Sequence, residues 1–309
     1  MNINKSKIFV FFLTVMILSA CTTTPVISAA DDFPLIFSAV ENISPRWRHY
    51  AAGVDFLHGR IESPRLEFWA LKIDLNAENV AVVVRAGAAN SGSGGAFSTK
   101  VSSFVRDNNL IAGINATPFD VNTTKEGESI RNLGVIISGG VLLSNIIPQY
   151  DALVIYNSFS QSENENEPPI MIKRAAIVRQ SSIQMADNIE NAIGGFFQIL
   201  TGGVPAQRTM SNDARHPRSA AGVSDNGEYL YLLAIDGRRA GSVGSTERET
   251  AVLLQRLGCR DGINFDGGGS TALAMRNSGG NVRTVNTPVH QFFPGQERAV
   301  AGCIGIKAE

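Results

Sequence analysis

The run Ile263-Asn264-Phe265-Asp266-Gly267-Gly268-Gly269-Ser270-Thr271 places one carboxylate directly before three glycines and two hydroxyls. Consecutive residues without a Cβ permit a sharp turn and let a ligand approach the backbone N–H groups, which suit an anion. Residues 270–275 read as a short helix start, which would bring a positive dipole end to the same spot. Asp266 then stands beside an anion-binding nest, placed for general acid, base or nucleophilic work. The plain alternative is a tight turn between a buried strand and a helix, capped by Asp266. A Walker-type phosphate loop is disfavoured because no Lys follows the glycines, and contiguous glycines do not fit the spaced dinucleotide fingerprint.

A second group of chemical residues lies on an expected hairpin. His216-Pro217-Arg218 opens one strand, Asp225-Asn226-Gly227 makes the turn, and the return strand 229–235 ends in Asp236-Gly237-Arg238. Pairing brings Arg218 near the level of Asp236, as either a functional pair or a structural salt bridge. Ile114-Asn115-Ala116-Thr117-Pro118-Phe119-Asp120 closes another strand with polar groups, and Glu297-Arg298 precedes the last strand. Strand ends carrying Asn, Asp, Arg or Glu are where loops usually hold function.

The elements that must position these groups are mostly strands. Apolar runs of strand length occur at 66–75, 80–85, 110–115, 134–137, 153–156, 229–235, 261–265 and 299–306. Two helices are expected. Residues 97–109 put Val101, Phe104 and Val105 on one face, and 246–257 begins with the capping-box pair Thr246 and Glu249 and stops at Gly258. Gly139-Gly140 and Gly202-Gly203 each sit between two short apolar runs, the signal of a hairpin. The expected fold is α+β, a mainly antiparallel mixed sheet packed with a few helices in a single domain over 51–309.

Residues 1–21 read as a lipoprotein signal peptide: Lys5 and Lys7, an apolar run too short to span a bilayer, then Leu18-Ser19-Ala20-Cys21. Cys21 is the expected lipidation site, and 22–50 form a tether and N-terminal segment. The expected location is the cell envelope, with the membrane reached through the lipid anchor only. Cys259 and Cys303 are then either a disulfide or two buried thiols. The chain has 309 residues and a formal net charge of −1, without the basic excess expected of a nucleic-acid binder.

Asn115 to Asp120, His216-Pro217-Arg218, Asp236-Gly237-Arg238, the 244–257 helix, Asn264 to Thr271 and Glu297-Arg298 together resemble the phosphodiester glycosidase family. The resemblance spans about 51–306. Ala116-Thr117 stand where the family usually has a glycine pair, Pro118 where it has an aromatic, and Thr271 where it has a second Ser. The Thr keeps the hydroxyl, while the lost glycines alter the wall beside Asn115. What the resemblance implies is hydrolysis of a sugar 1-phosphodiester, in envelope or host glycans, to free sugar and phosphomonoester.

Cleaving a glycoside builds positive charge on the sugar carbon and calls for a nearby carboxylate, whereas a phosphate leaving group needs cations and N–H donors more than an acid. Asp266 is the first choice for that carboxylate, Asp236 the second and Glu297 the third. Arg218 and Arg298, with Gly267, Gly268, Gly269, Ser270 and Thr271, are expected to bind phosphate oxygens, and Asn115 and Asp120 to hold sugar hydroxyls. No His/Cys cluster has metal-ligand spacing, so no transition metal is expected to be required; the glycine and aspartate loops leave room for a hard cation such as calcium. Two rivals remain: a non-catalytic glycan-binding lipoprotein, and a phosphodiesterase in which water attacks phosphorus.

Overall fold

Three antiparallel sheets dominate the computed structural model, which describes residues 45–86, 95–120, 125–160, 168–184, 188–206 and 214–308. The signal peptide, Cys21 and the tether lie outside the described residues. The largest sheet has eight strands in the order Arg48–Ala51, Val54–Glu62, Arg65–Asp74, Tyr229–Ile235, Arg218–Val223, Asp261–Asn264, Phe197–Thr201 and Val204–Pro205. Its central strand Arg65–Asp74 is buried on both faces over most of its length, so it reads as a nearly continuous apolar run rather than an alternation. A five-stranded sheet runs Ile170–Arg179, Asp151–Ser160, Ile189–Gly194, Ile136–Ser138, Val141–Ser144. The other five-stranded sheet runs Val282–Thr284, Leu273–Arg276, Ala112–Asn115, Gly302–Lys307, Ala81–Ala86. One apolar cluster draws on all three sheets, with Leu71 and Ile73 from the first, Leu153 and Ile193 from the second, and Ile114 and Ile304 from the third. Each such side chain contributes about 1.5–3 kcal/mol of transfer free energy, which fixes the sheets against one another.

The expected α+β balance is not what forms. Among the described residues there are only two α-helices, α1 (Val101–Asp107) and α2 (Glu247–Leu257), and the molecule is mostly β. Strands that the apolar runs did not signal make the difference. Ile170–Arg179 carries Lys173, Arg174 and Arg179 and stays largely half-exposed at a sheet edge, so it lacks the buried stripe that marks an interior strand. The helix expected over 270–275 is also absent: Gly268–Ser270 is a single 3-10 turn, and Leu273–Arg276 is a strand pairing with Ala112–Asn115. Strand pairing on both sides of Leu273–Arg276 outweighs its local helical propensity.

Other expectations hold. Arg218–Val223 and Tyr229–Ile235 form the hairpin, with Arg218 opposite Ile235. The two Gly-Gly pairs each turn a hairpin. Helix α2 has its capping box, the Thr246 hydroxyl accepting from Glu249 N–H at 3.1 Å and the Glu249 carboxylate accepting from Thr246 N–H at 3.0 Å, and it ends at a left-handed Gly258. Helix α1 lays Val101, Phe104 and Val105 against Ala274 and Cys303 of the adjoining sheet. Cys259 and Cys303 are two buried free thiols.

Candidate active site

The glycine run is fixed in place by what flanks it. Phe265 is fully buried, its N–H donates to Ser219 O at 2.9 Å, Asp266 N–H donates to Ala116 O at 2.8 Å, and Gly268 N–H donates to Pro217 O at 2.8 Å. Asn115 completes the clamp. Its Nδ2 donates to Asp266 O at 2.7 Å, while its Oδ1 accepts from the Ser219 hydroxyl at 2.6 Å and from Ala272 N–H at 3.1 Å. The loop therefore spans two sheets, with Asn115 as the rivet. That amide is buried and engaged on both ends, so the structure gives it a positioning task where a sugar contact was expected.

Most of the backbone donors expected to cradle an anion are spent inside the loop. Gly267 N–H donates to the Asp266 carboxylate, Ser270 N–H to Gly267 O at 3.2 Å and Thr271 N–H to Gly268 O at 3.3 Å. The glycines instead supply space. A Cβ on Gly267 would lie 2.7 Å from Pro217 O, and one on Gly268, which sits at φ +61°, would lie 2.9 Å from Arg238 Nη2. Removing those carbons lets Arg238 lie over the loop.

A pocket of about 520 Å³ opens above this loop, lined by Gly267, Gly268 and Gly269 with Asn264, His216, Arg218, Arg238, Glu247 and Arg298, and walled by Tyr150, Phe196 and Phe197. Three guanidinium groups thus face one cavity. Arg218 is aimed by Nε donation to Ser245 O at 3.0 Å and Nη2 donation to Ala214 O at 3.2 Å, and it stands 3.7 Å from Glu247 at the first turn of α2. Arg298 lies over the Phe119 ring at 4.6 Å and donates from Nη1 to the Ser270 hydroxyl at 3.2 Å. Arg238 holds φ 57° and its Nη2 lies 3.3 Å from His216 Nδ1. An arginine only donates, so Nδ1 accepts and the imidazole proton resides on Nε2. Burial, and then the charges of Arg218 and Arg238, push the His216 pKa down, which keeps the ring neutral at neutral pH.

Asp266 lies one residue before the lining glycines. The residue keeps some surface, but protein atoms enclose its carboxyl; this burial pushes its pKa up to about 6, against the opposing pull of the Ser270 hydroxyl, the Arg298 charge and Gly267 N–H. A carboxyl at that pKa is mostly ionised at pH 7 yet takes up a proton readily, as general acid–base work requires.

The other carboxylates are placed differently. The Asp236 carboxylate is fully buried outside this pocket, accepting from Arg239 Nε at 2.9 Å, Asn286 Nδ2 at 3.1 Å and Thr287 N–H at 3.0 Å. Glu297 caps α1, accepting from Ser102 N–H at 2.9 Å and the Ser102 hydroxyl at 2.6 Å. Asp120 is exposed and paired with Arg131, whose Nε donates at 2.6 Å. Ser270 and Thr271 are buried beneath the pocket rather than lining it. The residues that sequence reasoning left without a role are His216, Arg238 and Glu247. All three stood in the quoted motifs without a role, and the folding of the Ser245 segment against His216 is what brings Glu247 to the pocket. Among the described residues no group of three His, Cys, Asp or Glu side chains converges as a metal site.

A family model, that of phosphodiester glycosidase, matches residues 108–307, which contain every pocket residue named above. The chain belongs to the phosphodiester glycosidase family. No curated protein matches the sequence. Among solved structures it is similar to the catalytic domain of zebrafish N-acetylglucosamine-1-phosphodiester alpha-N-acetylglucosaminidase, a structure auto-inhibited by its pro-peptide, with TM-score 0.58, 17% identity and 85% of each chain covered. A hypothetical protein from Synechocystis gives TM-score 0.56 at 17% identity over 83% of this chain, which spans 62% of that protein's length. A protein of Burkholderia pseudomallei K96243 described as a putative exported protein gives TM-score 0.53 at 15% identity over 79% of this chain and 74% of the other. At these identities the likeness is one of fold.

Proposed function

We propose that this phosphodiester glycosidase hydrolyses a sugar 1-phosphodiester of an envelope or host glycan to free sugar and phosphomonoester. The observation that carries the reading is the enclosed Asp266 carboxyl, raised to about 6, directly beneath a pocket that presents three arginines. Arg218, Arg238 and Arg298 bind the phosphate oxygens, and their charge stabilises the departing phosphomonoester so that no strong acid is needed. His216 offers its Nε2–H to the same group. We assign to Asp266, beneath the glycine floor of the pocket, the carboxylate that offsets the positive charge on the sugar carbon and takes the proton of the attacking water. The C1–O bond to phosphate breaks as the bond from water oxygen to C1 forms. Tyr150, Phe196 and Phe197 give the sugar an apolar wall.

Attack at phosphorus is the competing reading, favoured by the same cluster of arginines. Hydrolysis in oxygen-18 water decides between them: label in the sugar supports the glycosidase, and label in the phosphate overturns it. A glycan binder without turnover releases neither product. We further infer export and a lipid anchor at Cys21, on the strength of Leu18-Ser19-Ala20-Cys21. No described helix is long and apolar enough to cross a membrane.

A further inference from the structure

A second cleft, of about 740 Å³, lies between one face of the eight-stranded sheet and the strands Leu273–Arg276 and Val282–Thr284. Strand register builds its first wall. His58 lies opposite Trp69 and Arg60 opposite Glu67, so these side chains share a face with Phe56. His58 stacks flat on Trp69, with ring centroids 4.9 Å apart and planes 5° from parallel.

The cleft has more positive than negative charge. Glu67 accepts from Arg60 Nε at 2.9 Å, from His58 Nε2 at 2.9 Å and from Arg239. Burial pushes the Glu67 carboxyl up, but these donors outweigh it and hold its pKa at about 2. Asp236 takes the other side of Arg239. Against these two carboxylates stand four arginines, 60, 239, 276 and 283, which leaves two positive charges unmatched. Arg276 donates to the carbonyls of Leu110, Gly280 and Val105, which orient the guanidinium without cancelling its charge. The Arg283 residue is exposed, and its side chain makes no ion pair or hydrogen bond among the described residues.

We propose that this cleft binds an anionic saccharide, its sugar rings lying along the His58 and Phe56 wall and its phosphate or carboxylate held by Arg283. A neutral sugar leaves the charge excess unused, and a bare anion leaves the aromatic wall unused. Arg238 lines the pocket above the glycine run, and the next residue, Arg239, lines this cleft. The inference does not depend on the proposed reaction, because it concerns binding alone.

Tryptophan emission reads this site directly. The chain has two tryptophans, and Trp47 packs on Tyr231 rather than lining the cleft. The full chain carrying Trp47→Phe and Asp266→Asn, to leave Trp69 as the sole reporter and stop turnover, is titrated with three oligosaccharides: a phosphorylated mannan fragment, an oligogalacturonate and a neutral mannan fragment. A saturable change in emission is expected with one or both anionic ligands; which of them distinguishes phosphate from carboxylate. Arg283→Ala should weaken that binding about tenfold, the value of a charge-assisted hydrogen bond, and Arg218→Lys in the catalytic pocket should leave it unchanged. The inference is overturned by no saturable change with either anion at millimolar concentration, by equal affinity for the neutral fragment, or by an Arg283→Ala variant that binds as tightly as its parent.

Discussion

Arg218 and Asp236 lie one residue out of register across one hairpin, Arg218 being opposite Ile235, and their side chains serve different parts of the molecule. Arg218 reaches Ser245 O and Glu247 at the pocket above the glycine run, while Asp236 joins Arg239, which also bonds Glu67, at the second cleft. Successive side chains of a strand point to opposite faces, so the residue after Ile235 turns away from the face that Arg218 shares with Ile235.

The placement of Arg218 sets the first expectation. Arg218→Lys keeps the charge but loses the fork that donates to Ser245 O and Ala214 O, so the remaining ammonium is no longer aimed. Loss of about 10- to 100-fold in kcat/KM is expected, the worth of one or two charge-assisted hydrogen bonds. Steady-state kinetics on a sugar phosphodiester checks this; a change under threefold would remove Arg218 from the phosphate site.

Asp266→Asn should cut turnover by at least about two orders of magnitude, as removal of a general acid–base group does. It should not cost stability at pH 7. The folded pKa of about 6 lies above the ordinary aspartate value of 3.8, so between these two the folded state binds the extra proton and stability falls as pH rises toward 6. Asn carries no charge to bury, so the variant is expected to match or exceed the wild type in urea unfolding at neutral pH. In the wild type kcat/KM should fall on the acid side with a midpoint near 6, where Asp266 takes up its proton. A flat profile from pH 5 to about pH 8 would remove Asp266 from the base role.

Glu297→Gln separates a helix cap from a catalytic acid. Its carboxylate serves Ser102 at the first turn of α1, so about 1 kcal/mol of stability is expected to be lost with kcat nearly unchanged. Thermal unfolding and turnover measured on the same preparation distinguish the two roles. A hundredfold loss of kcat in a normally folded variant would return Glu297 to the chemistry.

Cys21→Ser removes the acceptor thiol without touching any described residue. The expected outcome is protein released from the membrane fraction or held as precursor, with any freed protein folded and active. Wild-type protein recovered free of membrane, with a mature N-terminus beyond Cys21, would show an ordinary secreted enzyme instead.

The order of residues alone determined the hairpin at Asp225-Asn226-Gly227, the capped helix α2 and the sharp turn at the glycine run after Asp266, because turns, caps and glycine runs are specified by near neighbours in the chain. It also signalled Arg218 and Arg298 as anion ligands, and both line the pocket. Three other matters were decided by tertiary structure. The 270–275 segment became a turn and strand because sheet partners lay on both sides of it. Asn115 became a rivet because Ser219, Ala272 and Asp266 converged on its amide from distant parts of the chain. Asp236, Asp266 and Glu297 look alike in sequence, each a carboxylate at a strand end. Their environments differ because Asn286 and Thr287 close over Asp236, Arg298 stands beside Asp266 and Ser102 receives Glu297, all from far away in the chain, and no local pattern encodes that burial.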